Sequence, residues 1–163
     1  MKKLVILLLA GFWGQIALAQ SDSTPVYLRF PVIPPFKITN IADSSSFTRD
    51  NLSKKKATII MIFSPDCDHC QHEIKEITAH ISLFKKVQFV MCSPLEFPFI
   101  KKFYDQYQIA SYPNITMGRD PGYFFGTFYQ IRAFPALFLY DKKGHFIRSF
   151  DESVPVERIA EAF

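Results

Sequence analysis

The stretch ATIIMIFSPDCDHCQHEI, residues 57–74, decides the fold. It opens on an apolar, β-branched run, residues 57–64. Such a run, without alternation, suits a central strand covered on both faces. Pro65 and Asp66 stop it. From Cys67 the period changes: Ile74, Ile77, Ile81 and Phe84 recur at spacings of three and four, which predicts a helix over 67–84. Cys67 and Cys70 therefore stand where a buried strand hands over to a helix. The amino-terminal end of a helix carries unpaired N–H groups and a partial positive charge, and both favour a thiolate over a thiol. The second cysteine lies one helical turn on, near enough to close a disulfide. The pattern puts an exposed attacking sulfur first and a shielded resolving sulfur second. An inert disulfide and half of a metal site stay open as other uses of the pair.

Compartment bears on that choice. Residues 1–19, MKKLVILLLAGFWGQIALA, place two lysines before an apolar run and end on small residues. This is the layout of a secretory signal peptide, and the apolar run is short for a membrane span. Without it, 144 residues remain of 163, enough for one domain with a real core. Lys2 and Lys3 leave with the leader, so seventeen basic residues face fifteen acidic ones. That balance argues for no nucleic-acid partner and no acidic substrate. An exported chain can hold disulfides, but three cysteines make no stapling framework. Their use is local and chemical.

The rest of the chain frames the pair. Residues 20–33 are a leader and edge strand. The prolines of YLRFPVIPPFKITNI suit edge positions. A short strand is expected near Phe47 and a helical turn near Asn51. VQFVMC, residues 87–92, is a second apolar strand ending in Cys92, a buried free thiol by this reading. A helix is expected over 95–109, a short strand at NITM and a short helix within 122–131. PALFLYDKKGHFIRSF is a hairpin of strands 135–140 and 145–150, and Pro155 opens a last helix. Strand and helix alternate up to residue 109, which argues an α/β fold with a parallel βαβ core. On the cysteine helix, Glu73, Lys75 and Glu76 are expected to form a solvated face.

IPPFKI, ATIIMIF, CDHC and YQIRAFPALFLYDKKGHFI together resemble the thioredoxin-like superfamily, most closely its exported bacterial TlpA/ResA-like thiol–disulfide oxidoreductases. The resemblance spans residues 34–163. It implies a central mixed β-sheet flanked by helices, with an insertion between the C-x-x-C helix and the cis-proline strand. The family's cis-proline, facing the cysteines, falls on Pro135. Phe134 before it would offer backbone groups to an extended substrate. His69, between the cysteines, would tune the thiolate by charge and hydrogen bonding. Two departures stand out. The buried acid that thioredoxins carry six residues before the first cysteine is Met61 here, and the tryptophan before that cysteine is Asp66.

The resemblance implies an exported enzyme of the periplasm or cell envelope, exchanging disulfides with protein substrates through Cys67-Asp68-His69-Cys70. It implies an envelope redox partner, no cofactor, no bound metal and no stable membrane insertion after leader cleavage. Two other readings use the same residues: a copper chaperone holding a soft ion on the cysteines, and a non-catalytic adaptor. Amino-terminal sequencing of the exported protein should begin at Gln20; a start at Met1 in the membrane fraction would favour an anchor.

Overall fold

The computed structural model describes residues 24–163. The leader assigned to residues 1–19 lies outside them. Seven strands form one sheet: β1 (Lys37–Asn40), β2 (Ser46–Thr48), β3 (Ala57–Ile62), β4 (Val87–Ser93), β5 (Ile115–Arg119), β6 (Ala136–Tyr140) and β7 (Phe146–Phe150), in the order β2-β1-β5-β4-β3-β6-β7. β3, β4 and β5 run parallel, and β6 returns antiparallel beside β3. The α/β reading with a mixed central sheet holds.

Continuous hydrophobicity in β3 and β4 has the expected cause, since both faces are covered. Successive side chains of a strand point to opposite faces, so Ile59, Met61, Phe89 and Met91 enter one core while Ile60, Ile62, Val90 and Cys92 enter another. The first core is closed by α2 (Asp68–Ala79), α3 (Phe97–Gln106) and α5 (Val156–Ala160), through Ile74, Ile77, Ile100, Phe103 and Ile159. The second is closed by α1 (Val26–Arg29) and α4 (Phe124–Tyr129), mainly with aromatic rings. Tyr129 stacks on Phe138 with ring centroids 3.7 Å apart, and its hydroxyl meets that of Tyr140 at 2.7 Å.

Several boundaries differ from expectation. Residues 26–29, expected as strand-like, make a single helical turn after Pro25, which presents Tyr27 to the second core. Strand character begins later, where Val32 bridges His145 and Ile33 N–H donates to the Gly144 carbonyl at 2.9 Å. The cysteine helix stops at Ala79 rather than continuing to residue 84. A 3₁₀ turn, Ile81–Phe84, then rotates Phe84 into the core. NITM belongs to β5, a full member of the parallel set. In the β6–β7 hairpin Gly144 takes φ of +83°, a conformation that suits glycine, while the Asp141 carboxylate accepts the N–H groups of Lys143 and His145 at 2.8 Å each.

Candidate active site

The cysteine pair is built by the end of one strand and the start of one helix. β3 leaves the sheet at Ile62. Ser64–Asp66 turn the chain, and Cys67 caps α2 in an extended conformation. Its sulfur accepts the Cys70 N–H at 3.4 Å, so it takes up one of the donors that a helix start leaves unpaired. Gln71 secures the approach. Its Nε2 donates to the Pro65 carbonyl at 3.1 Å, and its Oε1 accepts the Tyr107 hydroxyl at 3.3 Å. All three cysteines are free thiols, with Cys67 half-buried and Cys70 fully buried.

The opposite wall comes from the loop entering β6. The Phe134–Pro135 peptide bond is cis. It turns the Phe134 carbonyl onto Cys67, whose thiol donates to it across 3.7 Å. Pro135 is buried and Phe134 half-buried. Cys67, Cys70, Phe134 and Pro135 therefore share one site. His69 is exposed and makes no hydrogen bond to either sulfur. Asp66 is exposed as well. The Ser64 hydroxyl donates to its carboxylate and holds its pKa below the usual carboxyl range.

The expected solvated face of α2 needs correction at Glu73. Lys75 is exposed and Glu76 partly so, but Glu73 is fully buried at 0 % exposure. The segment before α5 folds over it. Ser153 Oγ donates to its Oε2 at 2.5 Å and Val154 N–H at 3.1 Å. Its Oε1 has no partner among the described residues. Burial pushes the Glu73 pKa above the ordinary carboxyl value, against the two hydrogen bonds and the nearby His72, which lower it. Glu73 stands one turn after Cys70 and acts on it electrostatically. The Cys70 thiol is pushed well up, first by burial and then by its interaction with Cys67. The strand position carries Met61, and a buried carboxylate, Glu73, stands on the helix instead. One sequence signal pointed there: residues 70, 73, 74 and 77 lie on a single helical face.

Cys92 belongs elsewhere. It pairs with Ile62 in the sheet but faces the second core, so the sheet separates it from Cys70. Complete burial raises its pKa strongly, and Asp120 adds to the effect.

No family model matches the chain. A curated relative, mouse protein disulfide-isomerase A5, is 38 % identical over 48 residues, which span 29 % of this chain and only 9 % of that protein. Solved structures match far more of it. A secreted Mycobacterium tuberculosis disulfide oxidoreductase homologous to E. coli DsbE superimposes with a TM-score of 0.66 at 17 % identity, covering 78 % of this chain and 93 % of that one. StoA from Bacillus subtilis gives 0.60 at 17 %, covering 81 % and 98 %. A putative thiol:disulfide interchange protein DsbE from Chlorobium tepidum gives 0.65 at 16 %, covering 80 % and 89 %. The chain is thioredoxin-like by fold.

The sulfurs should differ sharply in reactivity. At pH 7 an alkylating probe should label Cys67 well before Cys70 or Cys92, whose burial keeps them protonated and shielded. Mass mapping of the labelled peptides reads the order, and faster labelling of Cys92 would reverse the assignment.

Proposed function

We propose that the protein is an exported thiol–disulfide oxidoreductase acting on protein substrates in the cell envelope. One observation carries the reading: a half-exposed thiol at a helix start faces a cis-proline loop, with a second thiol buried one turn behind it. Export is supported by the sequence of residues 1–19 and by the secreted nature of the Mycobacterium protein.

The Cys67 thiolate attacks one sulfur of a substrate disulfide. A mixed disulfide forms, and the other substrate sulfur leaves as a thiolate that takes up a proton. Phe134 and Pro135 border the sulfur and position the substrate backbone. Cys70 then gives its proton to the Glu73 carboxylate and attacks the Cys67 sulfur. The Cys67–Cys70 disulfide forms, the second substrate sulfur departs as a thiolate that takes up a proton, and two electrons have passed to the substrate. Run backwards, the same steps oxidise a dithiol. An envelope redox partner resets the pair. His69 lies exposed between the two cysteines and is the residue we assign to tuning the thiolate. The copper-chaperone reading would rest on Cys67 and Cys70 alone, since no group of three or more His, Cys, Asp or Glu side chains converges among the described residues.

Trapping tests the reading. Cys70→Ser, expressed in the native envelope, should accumulate substrates disulfide-linked to Cys67, and Cys67→Ser should accumulate none. Stoichiometric Cu(I) binding that needs both cysteines, without any disulfide exchange, would sink it.

Glu73→Gln should separate function from stability. As proton acceptor, Glu73 should speed resolution by about a hundredfold, so the variant should hold mixed disulfides far longer at pH 7. Stability should move the other way. A raised carboxyl pKa means that Glu73 contributes most below its unfolded-state value, about 4.3, and that this contribution is lost as pH rises through the raised value. Thermal unfolding should therefore show the variant more stable than wild type at pH 7, with the gain shrinking at pH 4. A variant destabilised equally at both pH values would mark Glu73 as a purely structural tether.

A further inference from the structure

The cysteines occupy one pole of the molecule, at the carboxyl end of β3. The opposite pole is floored by Ala57 and Val87, the first residues of β3 and β4. Six residues of strand separate the two ends, about 20 Å at the rise of a β-strand. At this far pole lies an open groove of about 610 Å³. Leu83, Ile147 and Phe163 stand along it with exposures of 49, 37 and 46 %. A second depression of about 440 Å³ adjoins it and shares the hairpin turn Asp141–Lys143.

Lysines ring both hollows: the run 54–56, the pair 85–86 and the pair 142–143. None of these seven forms an ion pair among the described residues. Two acids, Asp50 and Asp141, stand among them, and Asp141 is held by the backbone of its own turn and by the His145 ring. The chain thus gathers unpaired positive charge from three separate segments around an apolar floor. The remainder of the described surface carries most of the acids.

Residue type narrows the occupant. Protein interfaces are enriched in arginine, tyrosine and tryptophan and depleted in lysine. Here seven of the eight lining cations are lysine; the eighth, Arg49, is turned onto the Ile33 carbonyl at 3.3 Å, and the lining holds neither tyrosine nor tryptophan. Lysine is a hydrated point charge without a fixed donor geometry. That suits many mobile anionic groups better than one fitted ligand, and a lone carboxylate or phosphate would engage only one or two of the seven. Exposed Leu, Ile and Phe beside such a cluster add the apolar contact that stable adsorption requires. No helix among the described residues is long and apolar enough to cross a membrane.

We propose that this pole docks peripherally on an anionic phospholipid surface, leaving Cys67 directed away from the lipid. The inference is independent of the chemistry assigned to the cysteines.

Co-sedimentation with vesicles tests it, using the protein as the cell releases it, its amino terminus fixed by mass spectrometry. Phosphatidylglycerol–phosphatidylcholine vesicles should bind the protein and lose it as salt rises, whereas pure phosphatidylcholine should bind it far less. Each Lys→Gln change at the pole should weaken partition about fivefold. Lys85→Gln/Lys86→Gln should therefore lose an order of magnitude or more, and Leu83→Asp should also weaken it. Both variants should keep the exchange activity and melting temperature of the wild type. Equal binding to anionic and neutral vesicles, or no loss in the lysine variant, would overturn the proposal. So would binding to soluble poly-glutamate as tight as to the anionic vesicles, which would assign the pole to an acidic protein instead.

Discussion

The antiparallel register between β3 and β6 is the constraint on which the site depends. Ile62 pairs with Ala136 at the end of the ladder. From that pair one chain runs on to Cys67 and the other back to Pro135 and Phe134. The 3.7 Å approach of the Phe134 carbonyl to the Cys67 sulfur, between residues 67 positions apart, follows from it. A slip of one residue would turn every side chain of β6 to the other face. Leu137 and Leu139 would leave the core of α2, and Phe138 would leave its stack on Tyr129. Two differently filled cores therefore oppose the slip, the first mainly aliphatic with Phe63, Phe84, Phe89 and Phe103 among its members, the second richer in aromatic rings. Cys67 and the Phe134–Pro135 loop are held in place chiefly by packing on both sides of the sheet.

What the sequence disclosed follows the range of the interactions involved. Strand β3, the first turns of α2 and the β6–β7 hairpin are local patterns, and a continuous apolar run or a D-x-x-G turn carries its own signal. Cys67 and Cys70 were legible for the same reason. Glu73 was not. Its neighbour Lys75 is exposed and Glu76 partly so, as their charges imply, and neither says that Glu73 differs. Its burial is made by Ser153 and Val154, eighty positions on. Only its place on the helical face of Cys70, Ile74 and Ile77 hinted at the core. The single helical turn at Val26–Arg29 was hidden in another way, because Pro31 and the prolines after it suggested extended chain while Tyr27 was drawn inward by Tyr129, Phe138 and Phe146.

The buried carboxylate also shows how the site is financed. An unsatisfied buried oxygen such as Glu73 Oε1 costs roughly 1–3 kcal/mol, and two donors to Oε2 offset only part of the cost of burying the charge. A chain selected for stability alone would place a glutamine or leucine there. The cost falls beside Cys70, a thiol that burial keeps protonated and that, in the proposed exchange, must lose its proton to resolve a mixed disulfide. Position 61 could have supplied an acid from the strand, yet Met61 packs in the first core beneath the helix. An acid one turn along α2 acts electrostatically on Cys70 without interrupting β3. Because Ser153 and Val154 belong to the segment that leads into α5, closure of that segment both buries the acid and sets its proton affinity. The proton chemistry of the cysteine pair is thereby tied to the packing of the last helix, a link that neither element carries alone.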